Sequence, residues 1–163
     1  MFSKEPVEVV SGLWTTGEIP RNSFEDPLPL RRNERLVVRV GKREVADNIM
    51  DDQALFTVVE NVGCVVVTGC CHAGLVNTLN QVKRQIGASA VYGFVGGTHL
   101  VDRSDDYVRR TVSELIGLKL ISPCHCTGFK SEAVLWEAFP KQFVLNYSGR
   151  VIEAGKETRP RVI

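Results

Sequence analysis

The sequence predicts a layered α/β fold, built on a mixed β-sheet with three helices. Three strand-to-helix units follow one another from residue 51 onwards, which is the order of elements in layered α/β proteins. The apolar run at residues 64–67 is typical of a strand buried on both faces. The first fifty residues instead carry four prolines, which favour turns and edge strands over helices. Together these patterns indicate a mixed sheet and not a purely parallel one.

The predicted strands lie between turn signals. Gly96 and Gly97 are expected to end the strand that precedes them, and Pro123 is expected to stop the next one. A long loop separates the first two strands. In chain order, the predicted strands are residues 7–10, 36–40, 53–60, 64–67, 90–95, 118–121, 142–145 and 151–152.

The three predicted helices are recognised by apolar residues three or four positions apart. Gly87 is expected to close the first helix in a left-handed conformation. Ser104 or Asp105 can cap the second. The third begins between residues 127 and 131 and ends before Pro140. The apolar positions of the first two helices are Leu75, Val76, Leu79, Val82 and Ile86, and then Val108, Val112, Leu115 and Ile116.

Composition narrows the class of protein. A chain of 163 residues with 44% hydrophobic and 24% charged residues suits one globular domain, residues 1–163. The formal net charge of +1 argues against a nucleic-acid partner or an acidic membrane surface, and no stretch is apolar enough to span a membrane. Five cysteines, an odd number, without a Cys-x-x-Cys pair are not a secreted disulfide framework, so we expect a cytoplasmic protein.

All three histidines fall just after a predicted strand. They are His72, His99 and His125, and glycine lies close to each of them. In α/β folds the loops at the carboxyl ends of strands carry the functional site. One such histidine is more often a hydrogen-bonded structural residue, but three in equivalent positions indicate a common site. Neutral imidazole is the commonest metal ligand, so a metal centre is the favoured interpretation.

The cysteines beside these histidines support a rival interpretation, a structural zinc site. Its ligands would come from Cys70, Cys71, Cys124 and Cys126 together with two histidines. Adjacent residues point in opposite directions from a strand, however, and structural zinc ligands are usually separated by two to four residues. A buried apolar role is the ordinary expectation for each cysteine.

Five ordered stretches resemble the metallo-β-lactamase superfamily. The closest likeness is to its branch of dihydropterin ribofuranosyl-aminobenzene phosphate synthase-like proteins, often described as metal-dependent hydrolases. Motifs in this order and spacing are more specific than any single one. The stretches are Thr16-Gly17-Glu18-Ile19-Pro20-Arg21 with Phe24-Glu25 shortly after, Asp51-Asp52-Gln53-Ala54-Leu55, Gly69-Cys70-Cys71-His72-Ala73-Gly74-Leu75-Val76-Asn77, Gly96-Gly97-Thr98-His99-Leu100 and Pro123-Cys124-His125-Cys126-Thr127-Gly128.

The resemblance implies half of an αββα sandwich with one or two divalent metals, most simply zinc, at the edge of its sheets. His72 matches the family's third metal-ligand motif, and His125 matches its last histidine ligand. His99 lies near the position of a bridging aspartate or cysteine, and we assign it a catalytic role as substrate contact, proton shuttle or ligand. Asp51 or Asp52 is expected to orient a loop near the site.

One departure from the family pattern is decisive for the domain prediction. The signature His-x-His-x-Asp-His cannot occur in a chain with three histidines placed as these are. The chain is therefore interpreted as the C-terminal half of the fold, from a split gene, a truncation or a remnant. Because half a sandwich would expose an apolar sheet face, we expect a complementary N-terminal half or a homo-oligomer.

Three functions follow as expectations. The first is a metal-dependent hydrolase, or a subunit or fragment of one, acting on a small anionic substrate. The second is a transferase that condenses a dihydropterin pyrophosphate with an aminobenzene ribofuranosyl phosphate, as in tetrahydromethanopterin-type biosynthesis. The third is a non-catalytic remnant or interaction module, which the missing signature would favour.

Overall fold

The frame of the protein is a six-stranded mixed sheet. The computed structural model describes residues 3–25, 36–154 and 161–162. Its strands are β1 Glu8–Val10, β2 Leu13–Thr15, β5 Ala54–Val59, β6 Gly63–Thr68, β7 Gly93–Gly97 and β8 Leu120–Cys124. They lie side by side in the order β1-β2-β5-β6-β7-β8, antiparallel from β1 to β6 and parallel from β6 to β8.

Two short ribbons lie outside this sheet. Strand β3, Val37–Val40, pairs with β4, Arg43–Ala46, and β9, Ile152–Glu153, pairs with β10, Arg161–Val162. The mixed sheet predicted from the sequence is confirmed.

Three helices cover one face of the sheet. Helix α1 spans Leu75–Ile86, α2 spans Asp105–Glu114, and α3 spans Phe129–Ala138 after a short 3-10 turn, His125–Thr127. Their apolar side chains form one core with those of β5 to β8. The core includes Phe56, Val66, Leu75, Leu79, Val82, Phe94, Val108, Leu115, Ile121 and Leu135.

The predicted helix ends are confirmed. Gly87 ends α1 with φ 64°, a left-handed conformation that glycine adopts without a Cβ penalty. Ser104 is the cap of α2, because its hydroxyl accepts a hydrogen bond from the Tyr107 N–H at 3.3 Å. None of the helices in the described part of the chain has the length and apolar character that crossing a bilayer requires.

The opposite face of the sheet is only partly covered. Val65 and Leu120 on this face pack with Val144, from the segment that follows α3. Val67, two residues after Val65 in β6 and on the same face, keeps 42% of its surface exposed. An apolar strip, formed by Val67 and its paired neighbours Leu55 and Val95, therefore remains partly open on the face away from the helices.

Four sequence predictions about strands were wrong. Residues 13–15, predicted to lie in a long loop, form β2. Strand β7 runs through Gly96 and Gly97, which were expected to end the strand before them. Strand β8 does not stop at Pro123 but runs through it to Cys124. It is the edge strand of the sheet, where a residue without an N–H is tolerated. Residues 142–145 do not form a strand, and only Phe143 makes an isolated bridge, to Ile121.

Candidate metal centre

The three parallel strands bring all three histidines to one edge of the sheet. His72 follows β6, His99 follows β7, and His125 follows β8. Because neighbouring parallel strands end at the same edge, the loops that follow them meet there. His72 and His99 are partly buried, and their rings lie edge to face with centroids 4.6 Å apart.

Two cysteine thiols lie among these imidazoles. The Cys70 sulfur is 3.1 Å from His99 Nδ1 and 3.2 Å from the Cys126 sulfur. The Cys126 thiol also contacts the carbonyl of Cys70 at 3.0 Å, and the His99 N–H donates to the Cys126 sulfur at 3.2 Å. The cluster is therefore held by contacts between three loops that are distant in sequence.

Within the described residues, two groups of side chains have the spacing of a metal site. Cys70, His72 and His99 form one group, and Cys70, His125 and Cys126 form the other. In each group the ligand atoms all lie within 4.8 Å of one another. Cys70 belongs to both groups, so the three histidines predicted from the sequence converge around a thiol that the sequence analysis had assigned only to the rival structural zinc site.

The backbone around the cluster adopts uncommon conformations. Cys71, His99 and His125 have φ values of 64°, 51° and 55°, in the left-handed region that residues other than glycine rarely occupy. Such conformations cost roughly 1–3 kcal/mol each and persist where surrounding contacts enforce them. At His125 this conformation opens a 3-10 turn, which lets His125 and the adjacent Cys126 contribute to one group.

Close backbone packing beneath the cluster requires glycine. The Gly97 N–H donates to the Gly69 carbonyl at 2.9 Å. A Cβ at Gly97 would lie 2.4 Å from that carbonyl oxygen and 3.1 Å from the Cys126 sulfur. The loops after β6 and β7 can approach this closely only because position 97 has no side chain.

Burial and neighbouring groups set the protonation of the cluster. Burial raises the pKa of Cys70 to about 12, and the adjacent Cys126 thiol adds to this effect. Burial lowers the pKa of His99, and the nearby His72 lowers it further. The imidazole of His99 therefore favours the neutral form, which is the form that binds metals.

The residues present suit a divalent transition metal. His72 Nδ1 is buried and has no hydrogen-bond partner among the described residues, which is unusual for a buried polar atom. Imidazole and thiol donors favour ions such as zinc, whereas magnesium and calcium prefer oxygen. A metal ion would use the unpaired nitrogen of His72.

Arg21 and Asp52 fix the loop that carries His72. The Arg21 guanidinium donates to the His72 carbonyl at 2.6 Å and to the carbonyls of Asn48 and Ile49 at 2.9 and 2.8 Å. The Asp52 carboxylate accepts from the Ala73 N–H at 2.8 Å. Of the two aspartates expected to orient a loop, Asp52 is the one that contacts it.

A buried carboxylate caps the helix that follows His72. Glu25 is 3% exposed, and its Oε2 accepts from the Asn77 N–H at 2.9 Å in the first turn of α1. A Cβ on Gly74 would lie 2.3 Å from the same oxygen. The chain's own Glu25 carboxylate therefore occupies the start of α1.

Two proteins of known sequence are similar to this chain. No protein-family model matches the sequence. The 7,8-dihydropterin-6-methyl-4-(beta-D-ribofuranosyl)-aminobenzene-5'-phosphate synthase of Methanocaldococcus jannaschii is 31% identical over 159 residues, which are 94% of this chain and 52% of the synthase. An uncharacterized protein of the same organism, MJ0448, is 31% identical over 150 residues, with shares of 91% and 52%.

A solved structure decides the family. The crystal structure of Tm1679, a metal-dependent hydrolase of the beta-lactamase superfamily, matches with a TM-score of 0.65 and 25% sequence identity. The match covers 88% of this chain and 54% of Tm1679. The chain belongs to the metallo-β-lactamase superfamily. The sequence similarity to the synthase supports the branch of the superfamily expected from the sequence.

The superfamily fold is present here in part. The chain spans about half the length of the relatives that it matches, and its mixed sheet with three helices forms half of the metallo-β-lactamase sandwich. This confirms the fold class expected from the sequence. The assignment to the C-terminal half, and the roles of His72, His99 and His125, stay predictions.

Proposed function

We propose that this chain is a subunit or part of a metal-dependent enzyme of the metallo-β-lactamase superfamily. The observation that carries the proposal is the convergence of three imidazoles and two thiols at the carboxyl edge of the parallel strands. We assign metal binding to His72 and His125, with zinc as the expected ion. A divalent cation there supplies charge stabilisation to a phosphate or pyrophosphate oxygen, or activates a water molecule.

The favoured reaction is a pterin-type transfer. It would join a dihydropterin pyrophosphate to an aminobenzene ribofuranosyl phosphate, with pyrophosphate as the leaving group. The support is the 31% identity to the synthase over 94% of this chain. Both substrates are small anions, which suits a site that contains a cation.

His99 is the proposed catalytic residue. Its Nδ1 faces the Cys70 sulfur at 3.1 Å, which leaves Nε2 as the ring nitrogen able to contact a substrate or exchange a proton. The half-buried position beside His72 limits its access to bulk water. Arg21 and Asp52 act as positioning residues because they hold the loop of His72 and Ala73.

A complementary polypeptide is the proposed partner. The chain lacks the His-x-His-x-Asp-His signature, and we infer that a second polypeptide supplies the ligands that this signature provides in the superfamily. The strip around Val67, on the sheet face away from the helices, is the surface that such a half would cover. Burial of this apolar surface would drive the association.

A hydrolase is the second candidate. The observation that favours it is the structural match to Tm1679, which is described as a metal-dependent hydrolase. The two candidates differ in their need for a second substrate. A hydrolase would release phosphate or an alcohol from one ester, whereas the transferase would release pyrophosphate only when the aminobenzene ribofuranosyl phosphate is also present.

Metal content tests the proposal. The zinc content of the chain is measured by mass spectrometry, alone and after co-expression with the complementary half of a full-length relative. Pairing should add about one equivalent of metal, and His72→Ala should remove that increment because it removes a ligand. Pyrophosphate release by the pair is then measured with and without the second substrate.

The complementary half purified by itself is the control, because it reports the metal that it binds without this chain. A pair that holds no more metal than the sum of its separate parts would contradict the shared site. Metal that is unchanged in both His72→Ala and His125→Ala would contradict the ligand assignment.

A further inference from the structure

Two thiols and one imidazole of this chain lie at metal-binding distance without help from any other polypeptide. Cys70 belongs to the loop after β6, whereas His125 and Cys126 belong to the 3-10 turn after β8. Their ligand atoms all lie within 4.8 Å of one another, and the two sulfurs are 3.2 Å apart. This group differs from the histidine ligands of the proposed enzyme in having sulfur as its main donor.

The spacing is close to that around a tetrahedral ion. Zinc binds sulfur at about 2.3 Å, so two sulfur ligands around it lie roughly 3.8 Å apart. The sulfur pair at 3.2 Å needs to separate by roughly half an ångström. Three protein ligands leave a fourth position open.

The group is held in place before any ion binds. The Cys126 carbonyl accepts a hydrogen bond from the Val101 N–H at 3.1 Å, and the following Thr127 hydroxyl donates to the Cys124 carbonyl at 2.8 Å. Thr98 and Thr127 join the loops after β7 and β8 through their hydroxyls, 2.9 Å apart. A ligand group that needs little rearrangement loses little entropy when it binds an ion.

We propose that Cys70, Cys126 and His125 form a site for one thiophilic divalent cation of the zinc class, complete within this chain. Binding replaces the two thiol protons, which pass to solvent, by two metal–sulfur bonds. Thiolate donors select zinc over magnesium or calcium. The inference does not depend on the proposed reaction. His125 is assigned to both proposals and Cys70 belongs to both ligand groups, whereas Cys126 belongs only to this one.

Cobalt(II) is the probe, because thiolate coordination gives it a near-ultraviolet charge-transfer absorption that imidazole alone does not. The full chain is titrated with cobalt under anaerobic, reducing conditions. We expect one equivalent to bind with this absorption and to be displaced by zinc. Loss of an outer-shell partner costs about 10–100-fold in metal affinity, so Cys70→Ser and Cys126→Ser should each weaken binding by at least that factor.

Cys124→Ser is the matched control. Cys124 is partly exposed, lies in the same Cys-His-Cys stretch and belongs to neither ligand group, so its replacement should leave affinity and absorption unchanged. Circular dichroism checks that each variant is folded.

Three results would overturn the proposal. The first is the failure of the reduced wild-type chain to bind cobalt. The second is binding without the charge-transfer absorption, which would indicate imidazole ligands alone. The third is full retention of that absorption in folded Cys70→Ser and Cys126→Ser. Cys70 belongs to both ligand groups, so the two sites are coupled. They are still tested by different readouts, because the enzyme proposal is judged by the metal that the pair holds beyond the sum of its separate parts.

Discussion

At the scale of single residues, Glu25 combines two opposing effects, because it caps a helix as an acceptor while its carboxyl group is buried. Its carboxylate caps α1 through the Asn77 N–H, yet burial raises its pKa above the usual range. The hydrogen bonds from Asn77 and Ser23 lower the pKa in the opposite direction, and burial outweighs them. Glu25 therefore stabilises the start of α1, although burial disfavours the charged form of its carboxyl group.

Replacement of Glu25 should show both the loss of the helix cap and the relief of the buried charge. Glu25→Ala should lower the free energy of unfolding by about 1–2 kcal/mol, as the loss of a helix cap does. Glu25→Gln keeps an acceptor oxygen and should cost less at pH 7. Urea unfolding at a series of pH values measures both variants.

The sign of the pH dependence follows from the raised pKa. Above pH 4.5 the unfolded chain loses the Glu25 proton first, while the folded chain retains it. The stability of the wild type relative to Glu25→Gln should therefore fall as the pH rises from 4.5 through the folded pKa, and then level off. A relative stability that rises over this window would contradict burial as the dominant cause.

At the scale of elements, the ends of β6 and β7 set the geometry of the candidate site. Gly97→Ala places a Cβ 2.4 Å from the Gly69 carbonyl oxygen, which the structure can accommodate only by separating two loops. Overpacking of this kind costs roughly 1–3 kcal/mol, measured by urea unfolding. The same substitution should weaken cobalt binding, since Cys126 lies 3.1 Å from the added atom.

Gly69→Ala is the control for this substitution. A Cβ at position 69 meets nothing within 4 Å, so the change should stay within about 0.5 kcal/mol. Equal costs at the two positions would show that the close approach at Gly97 has no special importance.

The elements also show what the sequence could and could not predict. The helix ends at Gly87 and Ser104 depend on local chemistry, so they were predicted correctly. Strand β8 continues through Pro123 because β8 lies at the edge of the sheet. The position of a strand within the sheet is known only from the folded structure. The convergence of the histidines followed from strand order, whereas the contact between Cys70 and Cys126 arises between loops 56 residues apart.

The cap at Glu25 was missed for a similar reason. Glu25 lies 52 residues before Asn77, so no local capping pattern connects them. The signal available was a glutamate in the stretch that resembles the family, shortly after Arg21. That stretch positions the loop of His72 and the start of α1 and supplies no member of either ligand group.

At the scale of the whole molecule, the open sheet face is the surface on which we propose that a partner binds. Val67→Asp places a charge in the apolar strip and should weaken binding of the complementary half by about tenfold or more, because an unpaired charge is costly to bury. Analytical ultracentrifugation of the two polypeptides measures this. Val58→Asp is the control, because Val58 is also exposed but pairs with Cys64, whose side chain lies in the core under the helices.

Two outcomes would contradict this assignment. Equal weakening by Val58→Asp and Val67→Asp would show that the sheet face is not the binding surface. Self-association of the wild-type chain that Val67→Asp abolishes would make a second copy of this chain the occupant, in place of a complementary half.

The position of Cys70 in both ligand groups makes the two groups thermodynamically dependent. A cation held by Cys70, His125 and Cys126 uses the same sulfur that a cation beside His72 and His99 requires. The affinity of the second ion is then set by occupancy of the first, with a coupling free energy that is reciprocal between the two positions. If one sulfur serves a single ion, saturation shows negative cooperativity. If the Cys70 sulfur instead binds two ions, the shared thiolate offsets the repulsion between the two cations. Both positions would then fill within one narrow range of metal concentration.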